Sequence, residues 1–515
     1  ARSLGYPVMI TATAGGGGRG LRIARDDAEA AEAFVACQAE ASDAFGDDRV
    51  FLERFIVEPR HIEIQVFGDA FGNVIHLGER ECSLQRRHQK VLEEAPSTFL
   101  DEATRAAMGA QAVALARAVN YQSAGTVEFV VGRDRDFYFL EMNTRLQVEH
   151  PVTEMVTGLD LVEWMIRVAA GQPLPITQDQ VRRDGWALEC RINAEDPSRG
   201  FLPSIGRLVR FLPPVQVPGA LRVDTGVDEG GEISVHYDSM IAKVVAWGAD
   251  RAEAVGRLRD ALNSFVVRGV STNLAFQSAT LRHPRFLAGD FTTGFIAEEF
   301  PSGFDPTRLV PGRPAMLASV AAYARRRYIE RAGRISGQLP GHARKVGDDW
   351  VVRLRDQTYE LRLSSVEGGC DVRHDGRTHR LRTDWRLGDV VLYATWDDEP
   401  IHLQLERLGL NYRILHDGSQ VDAVVMTPTA AELLALMPRK PPPDLSRFLL
   451  SPMPGLLAEV AVTAGQSVRA GETIVVIEAM KMRNSLKAER DVVIDEVLAV
   501  PGESLSVDQP VVRFR

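Results

Sequence analysis

Between residues 141 and 149 the sequence reads Glu-Met-Asn-Thr-Arg-Leu-Gln-Val-Glu, with Glu141, Asn143, Arg145, Gln147 and Glu149 at alternate positions. In an extended chain alternate side chains share a face, so two carboxylates, a guanidinium and two amides would converge. A solvated strand face would alternate in the same way, but it has no need of that set. Upstream, Thr126 to Val131 and Phe137 to Glu141 flank a polar turn, Gly132 to Asp136, and read as a hairpin in which Glu128 faces Glu141. Opposed like charges about 5 Å apart destabilise a strand pair unless something positive sits between them. Magnesium takes hard oxygen ligands, typically a couple of carboxylates plus substrate phosphates, so Glu128, Glu141 and Asn143 form a candidate nucleotide-metal site. A strand expected over Tyr6 to Ile10 leads into Gly15, Gly16, Gly17 and Gly18, whose bare backbone amides can close over phosphate oxygens. A further alternating piece, Leu188 to Asn193, puts Arg191 on its polar side with Glu189 and Asn193. Glu53-Arg54, Pro59 to Glu63 and Cys82 to Lys90 concentrate basic and hydrogen-bonding groups, a density that suits an anionic ligand or a solvated charged loop.

Lysine is scarce: Lys90, Lys243, Lys345, Lys440, Lys481 and Lys487 are the only six. Lys481 lies in Glu478-Ala479-Met480-Lys481-Met482, between two similar halves. Val460, Gly465, Val468, Gly471 and Ile474 match Val497, Gly502, Leu505, Asp508 and Val511 at a constant interval. The first half must turn there to enter the second, which puts the Lys481 ammonium at an exposed tip. A covalent carrier needs an amine on a long flexible stem at a rigid turn, and arginine cannot form the amide. An ordinary turn lysine between two gap-filling methionines is the alternative, and the symmetry of the flanks argues against it.

The elements that must position these groups fall into several units, because 515 residues exceed what one core organises. Residues 1 to about 300 mix extended segments with amphipathic helices, such as Asp101 to Val119 and the run opening at Asp160 and stopping at Gly171. A helix over Arg313 to Arg331 then precedes period-2 segments, Trp350/Val352/Leu354, Tyr359/Leu361/Leu363 and Ile401/Leu403/Leu405, which predict a small β-barrel or sandwich. Met437 to Pro454 is proline-rich and predicts an extended, semi-rigid connector. A net charge of -10 argues against a nucleic-acid surface, and no apolar run approaches the roughly 18 residues of a membrane span. Four scattered cysteines signal neither zinc nor a disulfide framework, which fits a reducing compartment.

Glu478 to Met482 resemble the EAMKM signature of biotinyl domains rather than a lipoyl domain, and Ala1 to about Phe300 resembles the ATP-grasp biotin carboxylase component. With Arg334 to Gln338 and the proline-rich connector, the whole chain is identified as a member of the biotin-dependent acyl-CoA carboxylase family. The resemblance implies a multidomain α/β plus β fold. Residues 1–300 would form an ATP-grasp biotin carboxylase domain lacking its N-terminal subdomain. Residues 301–436 would be a helix plus antiparallel β-barrel that docks a partner subunit, 437–448 a linker, and 449–515 a flattened β-barrel biotin carboxyl carrier. It assigns metal binding (Mg2+ or Mn2+) to Glu128, Glu141 and Asn143. Bicarbonate contacts fall to Lys90, Arg145, Gln147, Val148 and Glu149, with Glu149 as base and Arg191 stabilising the biotin enolate. ATP contacts fall to Gly15, Gly16, Gly17, Gly18, Glu53, Arg54, His61, Gln85 and His88, while the position usually held by a phosphate-binding lysine is Thr11. Biotin would be attached at Lys481 by a biotin protein ligase and would carry the carboxyl group to a carboxyltransferase (beta) subunit in a hetero-oligomer. The implied substrate is propionyl-CoA, with 3-methylcrotonyl-CoA or acetyl-CoA as alternatives; a non-catalytic carrier or scaffold is the rival of a different class. The implied compartment is the bacterial cytoplasm, or the mitochondrial matrix in a eukaryote.

Overall fold

The computed structural model describes residues 1–14, 20–87, 89–234, 237–334, 336–337, 341–342, 345–438, 445–479 and 482–515. Near the start, β1 (Val8–Ala12), β2 (Leu21–Ala24) and β3 (Val50–Arg54) form a small antiparallel sheet in the order β2-β1-β3. Helix α1 (Asp27–Phe45) packs on it. It begins where the Asp26 carboxylate accepts from the Ala28 and Glu29 amides, and it ends where Gly46 takes the left-handed conformation, φ 70°.

The site is built on a larger antiparallel sheet. Its strands are β4 (Arg60–Gly68), β5 (Val74–Arg86), β6 (Gln89–Ala95), β7 (Ser123–Val131), β8 (Phe137–Asn143), β9 (Trp186–Asn193), β10 (Leu221–Thr225) and β11 (Met240–Gly248), in the order β10-β11-β9-β6-β5-β4-β7-β8. Alternation divides its faces. Ile62, Ile64, Val66, Val127 and Phe129 form a core with Met108 and Ala112 of α2 (Glu102–Ala118), so Glu63, Gln65 and Glu128 point the other way. Helices α3 (His150–Thr157) and α4 (Leu161–Ala169) follow β8. Asp160 caps α4 by accepting from the Glu163 amide.

Further along, eight antiparallel strands between Asp349 and Met426 close into a barrel, Val351 pairing with Met426. Helix α5 (Pro314–Ala332) shares its core: every residue from Met316 to Ala324 is buried. A helix buried on all sides needs partners on all sides, and here strands at both ends of the closed sheet supply them. The last unit has two four-stranded sheets that repeat one pattern. Gly465 and Gly502 adopt φ 86° and 88°, and Gly471 and Asp508 φ 88° and 60°, so the repeat read from the sequence is also a repeat of left-handed turns. No helix among the described residues is long and apolar enough to cross a membrane.

Candidate active site

The alternation from Glu141 to Glu149 is not one strand. β8 ends at Asn143, the chain loops, and Glu149 precedes α3, whose first turn holds Pro151. The expected shared face is therefore split: Glu141 and Arg145 are exposed, whereas Gln147 and Glu149 are buried. Convergence comes instead from the loop folding back over the polar face of the sheet. Gln147 Nε2 donates to Glu128 Oε1 at 2.8 Å, and Asn143 Nδ2 donates to the same oxygen at 3.0 Å.

At the centre stands Lys90 of β6. Its ammonium donates to Glu128 Oε1 at 3.0 Å and Glu149 Oε1 at 2.6 Å, and also to Glu63. Burial lowers the lysine's pKa, but Glu63 first, then Glu149 and Glu128, outweigh it and hold the ammonium above the usual lysine value. Burial would likewise raise Glu128, yet His61 and Lys90 pull it well below the carboxylate range. The other oxygen of Glu149, Oε2, accepts from Arg191 Nη2 at 2.8 Å, and Arg191 Nε donates to Glu93 Oε1 at 2.7 Å. Against the penalty of burial, Glu93, Glu149 and Glu189 raise the guanidinium's pKa. Glu149, 2 % exposed, is thus held between two cations from different strands.

Beneath this lies a layer the sequence reading missed. Arg80, fully buried in β5, places all its donors: Nε on Glu63 at 2.6 Å, Nη1 on Gln65 at 2.6 Å and Thr153 at 3.0 Å, Nη2 on Thr126 at 3.1 Å and Gln147 at 2.9 Å. It fixes Glu63 under Lys90 and Gln147 beside Glu128. The available signal was Glu79-Arg80-Glu81 inside a strand otherwise rich in apolar residues.

Glu128 does face Glu141 in register. Their repulsion is relieved within the protein by Lys90 and His61 beside Glu128 and by the exposure of Glu141. The set still fits a divalent cation. Asn143 Nδ2 reaches Glu128 at 3.0 Å and Glu141 at 3.4 Å, and turning that amide over would present its oxygen between two carboxylates. Arg145 Nη2 donates to Asn143 Oδ1 at 3.4 Å, and the Val148 carbonyl accepts from Lys243 at 2.9 Å.

His61 and Gln85 are linked, Nδ1 to Nε2, at 2.7 Å, and the other ring nitrogen of His61 lies 3.0 Å from Glu128. Thr11 donates to Glu53 Oε1 at 2.7 Å, while Arg54, next in β3, is exposed. Gly15 to Gly18, His88 and Lys481 lie outside the described residues; the strands flanking Lys481 pair with Ala479 opposite Met482.

The sequence matches four family descriptions in series. They are the ATP-binding domain of the carbamoyl-phosphate synthase L chain (residues 1–177), the biotin carboxylase C-terminal domain (189–298), the propionyl-coenzyme A carboxylase BT domain (317–440) and a biotin-requiring enzyme domain (448–514). It is 52% identical to the propionyl-CoA carboxylase alpha chain of Ruegeria pomeroyi, over 99% of this chain and 78% of that one. The mitochondrial alpha chain of Homo sapiens is 46% identical over 98% and 70%. The methylcrotonoyl-CoA carboxylase subunit alpha of Rattus norvegicus is 36% identical over 100% and 73%. Among solved structures, the biotin carboxylase domain of Hydrogenobacter thermophilus 2-oxoglutarate carboxylase, in complex with MgADP, ADP and bicarbonate, has a TM-score of 0.56 at 46% identity. That match covers 58% of this chain and 66% of the other. With these likenesses running from the ATP-grasp sheet to the carrier unit, the chain belongs to the propionyl-CoA carboxylase alpha-chain family of biotin-dependent carboxylases.

Proposed function

We propose that this chain uses ATP and bicarbonate to carboxylate a biotin that a biotin protein ligase attaches at Lys481. A partner carboxyltransferase (beta) subunit in a hetero-oligomer then receives the carboxyl group for transfer to propionyl-CoA. The observation that carries the reading is the position of Glu149, buried, with one oxygen on Lys90 at 2.6 Å and the other on Arg191 at 2.8 Å. A carboxylate oxygen has two lone-pair sites, so each keeps one free to take a proton from bicarbonate. Lys90 and Arg191 are the cations that can orient the bicarbonate anion and then hold negative charge as it develops on the biotin ring. Arg145, Gln147 and the Val148 backbone complete the anion site. When bound, magnesium at Glu128, Glu141 and Asn143 neutralises nucleotide phosphate charge, and the biotin ring supplies the nitrogen that accepts the carboxyl group. Gly15 to Gly18, Glu53, Arg54, His61, Gln85 and His88 are the nucleotide contacts in this reading. The ligands named for the Hydrogenobacter structure support ATP, magnesium and bicarbonate, and the higher identity to propionyl-CoA carboxylases than to the methylcrotonoyl-CoA enzyme supports propionyl-CoA.

The test is Glu149→Gln, which keeps the shape and both neighbours but removes the base. Biotin-dependent, bicarbonate-dependent ADP formation should fall by about 100-fold or more, within the usual range for a general base. Turnover equal to the parent would refute the assignment.

A further inference from the structure

Arg199 reaches from the carboxylase unit to the carrier unit. It lies in a short loop, Asp196 to Pro203, that leaves β9 only a few residues after Arg191. Its Nη1 donates to the Pro452 carbonyl at 2.6 Å and its Nη2 to Asp508 Oδ1 at 2.8 Å, both on the carrier. Three residues on, Leu202 packs against the carrier's own core. The loop is braced from the active-site side, since the Arg86 guanidinium lies 4.3 Å from the centre of the Phe201 ring and donates to the Gly200 carbonyl. Arg86 is the neighbour of Gln85 at the end of β5.

The part of the carrier that is gripped is informative. Gly455 pairs with Leu505, and Leu456 pairs with both Ser504 and Glu478. Pro452 and Asp508 therefore sit just beyond the strand ends that adjoin Glu478 and Ala479, where Ala479 faces Met482 across the ladder. A Cβ added to Gly455 would lie 2.8 Å from the Glu478 carbonyl oxygen, so the two segments are in close contact. The gripped end is the end that leads into Lys481.

We propose that the Asp196 to Pro203 loop is the docking surface for the chain's own carrier unit during carboxyl loading, with Arg199 as its positioning residue. The inference rests on the proposed function and adds where the carrier sits when it receives the carboxyl group. Polar contacts to a rim and one apolar side chain suit a dock that must release its occupant every cycle, because partly exposed charge contacts hold geometry without holding tightly.

The experiment compares two substrates in the full-length protein assembled with its partner. In the biotinylated holoenzyme, Arg199→Ala should slow overall carboxyl transfer by about three- to tenfold, the effect of losing a couple of such hydrogen bonds. In protein prepared without attached biotin, ADP formation driven by biotin in solution should be unchanged. Arg199→Asp should slow tethered loading at least as much, and adding Asp508→Arg should restore part of it. Unchanged or faster turnover with tethered biotin would overturn the dock, as would an equal loss with biotin in solution. Absence of biotin-driven ADP formation in the parent protein would instead overturn the proposed function.

Discussion

At the scale of single residues, the site's charge balance extends to a pair of acids outside the proposed chemistry. Glu93 of β6 and Glu189 of β9 are register partners, both fully buried. Glu93 Oε1 accepts from Arg191, while Glu93 Oε2 and both oxygens of Glu189 have no hydrogen-bond partner among the described residues. Burial pushes Glu93 up to about 7, with Glu149 adding to the rise and Arg191 opposing it; burial, then Glu93, raises Glu189 well above the carboxylate range. Two facing carboxyls in a dry site cannot both ionise, so the pair retains a proton and Arg191 meets less than two full negative charges. The folded chain then binds more protons than the unfolded chain between the ordinary glutamate value of 4.5 and about 7. That contribution to stability is complete below the lower value and is lost as pH rises through the upper one. Glu93→Gln mimics the protonated acid permanently and keeps an oxygen for Arg191 to donate to. Denaturant unfolding from pH 5 to 8 should show the parent losing stability relative to the variant, by about 1 to 3 kcal/mol at the alkaline end. Parallel profiles would exclude the raised Glu93 carboxyl.

Among the elements, α5 inside the barrel makes the sharpest demand on sequence. Ala318, Ala321, Ala322 and Ala324 are all fully buried, and small side chains are what let a helix and eight encircling strands share one core. Ala321→Leu should cost about 1 to 3 kcal/mol by overpacking, lowering the barrel's melting temperature while leaving ADP formation with biotin in solution intact. An unshifted thermal profile would show that the interior has room. This region was legible in advance because one face of each strand is buried: Trp350, Val352 and Leu354, Tyr359, Leu361 and Leu363, and Ile401, Leu403 and Leu405 are all core residues. The Glu128–Glu141 hairpin was legible from its polar turn, but the turn's register pairs Phe129 with Phe139, and a register shift next to Glu128 is what brings it opposite Glu141. Extrapolating the alternation past Asn143 failed because period 2 in polar residues does not distinguish a strand from a loop. The correcting signal was Pro151, which belongs in the first turn of a helix and so places Glu149 at a helix start. Arg80, Glu63 and Glu93 were hidden for another reason. Their strands are buried on both faces, which erases the alternation that marks a functional side.

The whole molecule contrasts two ways of joining units. The barrel is locked to the carboxylase unit: Asp417 accepts from Arg259 Nη2 at 2.7 Å and from Asn263 Nδ2 at 3.0 Å, and its own amide donates to Asn263 Oδ1 at 2.8 Å. Gln404 Nε2 donates to the Phe265 carbonyl at 2.9 Å, and Arg268 donates to Gln404 Oε1 at 2.8 Å. Gly418, at φ 78°, brings backbone against backbone, for a Cβ there would lie 2.5 Å from the Ala275 carbonyl oxygen. The carrier, by contrast, is held by Arg199 and Leu202 across a partly exposed contact. A body that keeps its barrel fixed and lets its carrier travel needs this difference in strength. Removing one side of a largely buried charged contact leaves the partner unpaid by hydration, so Asp417→Ala should destabilise by about 2 to 4 kcal/mol. Because the loss falls on the joint, calorimetry should show barrel and carboxylase unit melting apart where the parent melts them together. Arg199→Ala should leave the same trace unmoved, and a single unchanged transition in Asp417→Ala would show that the joint does not couple the two units.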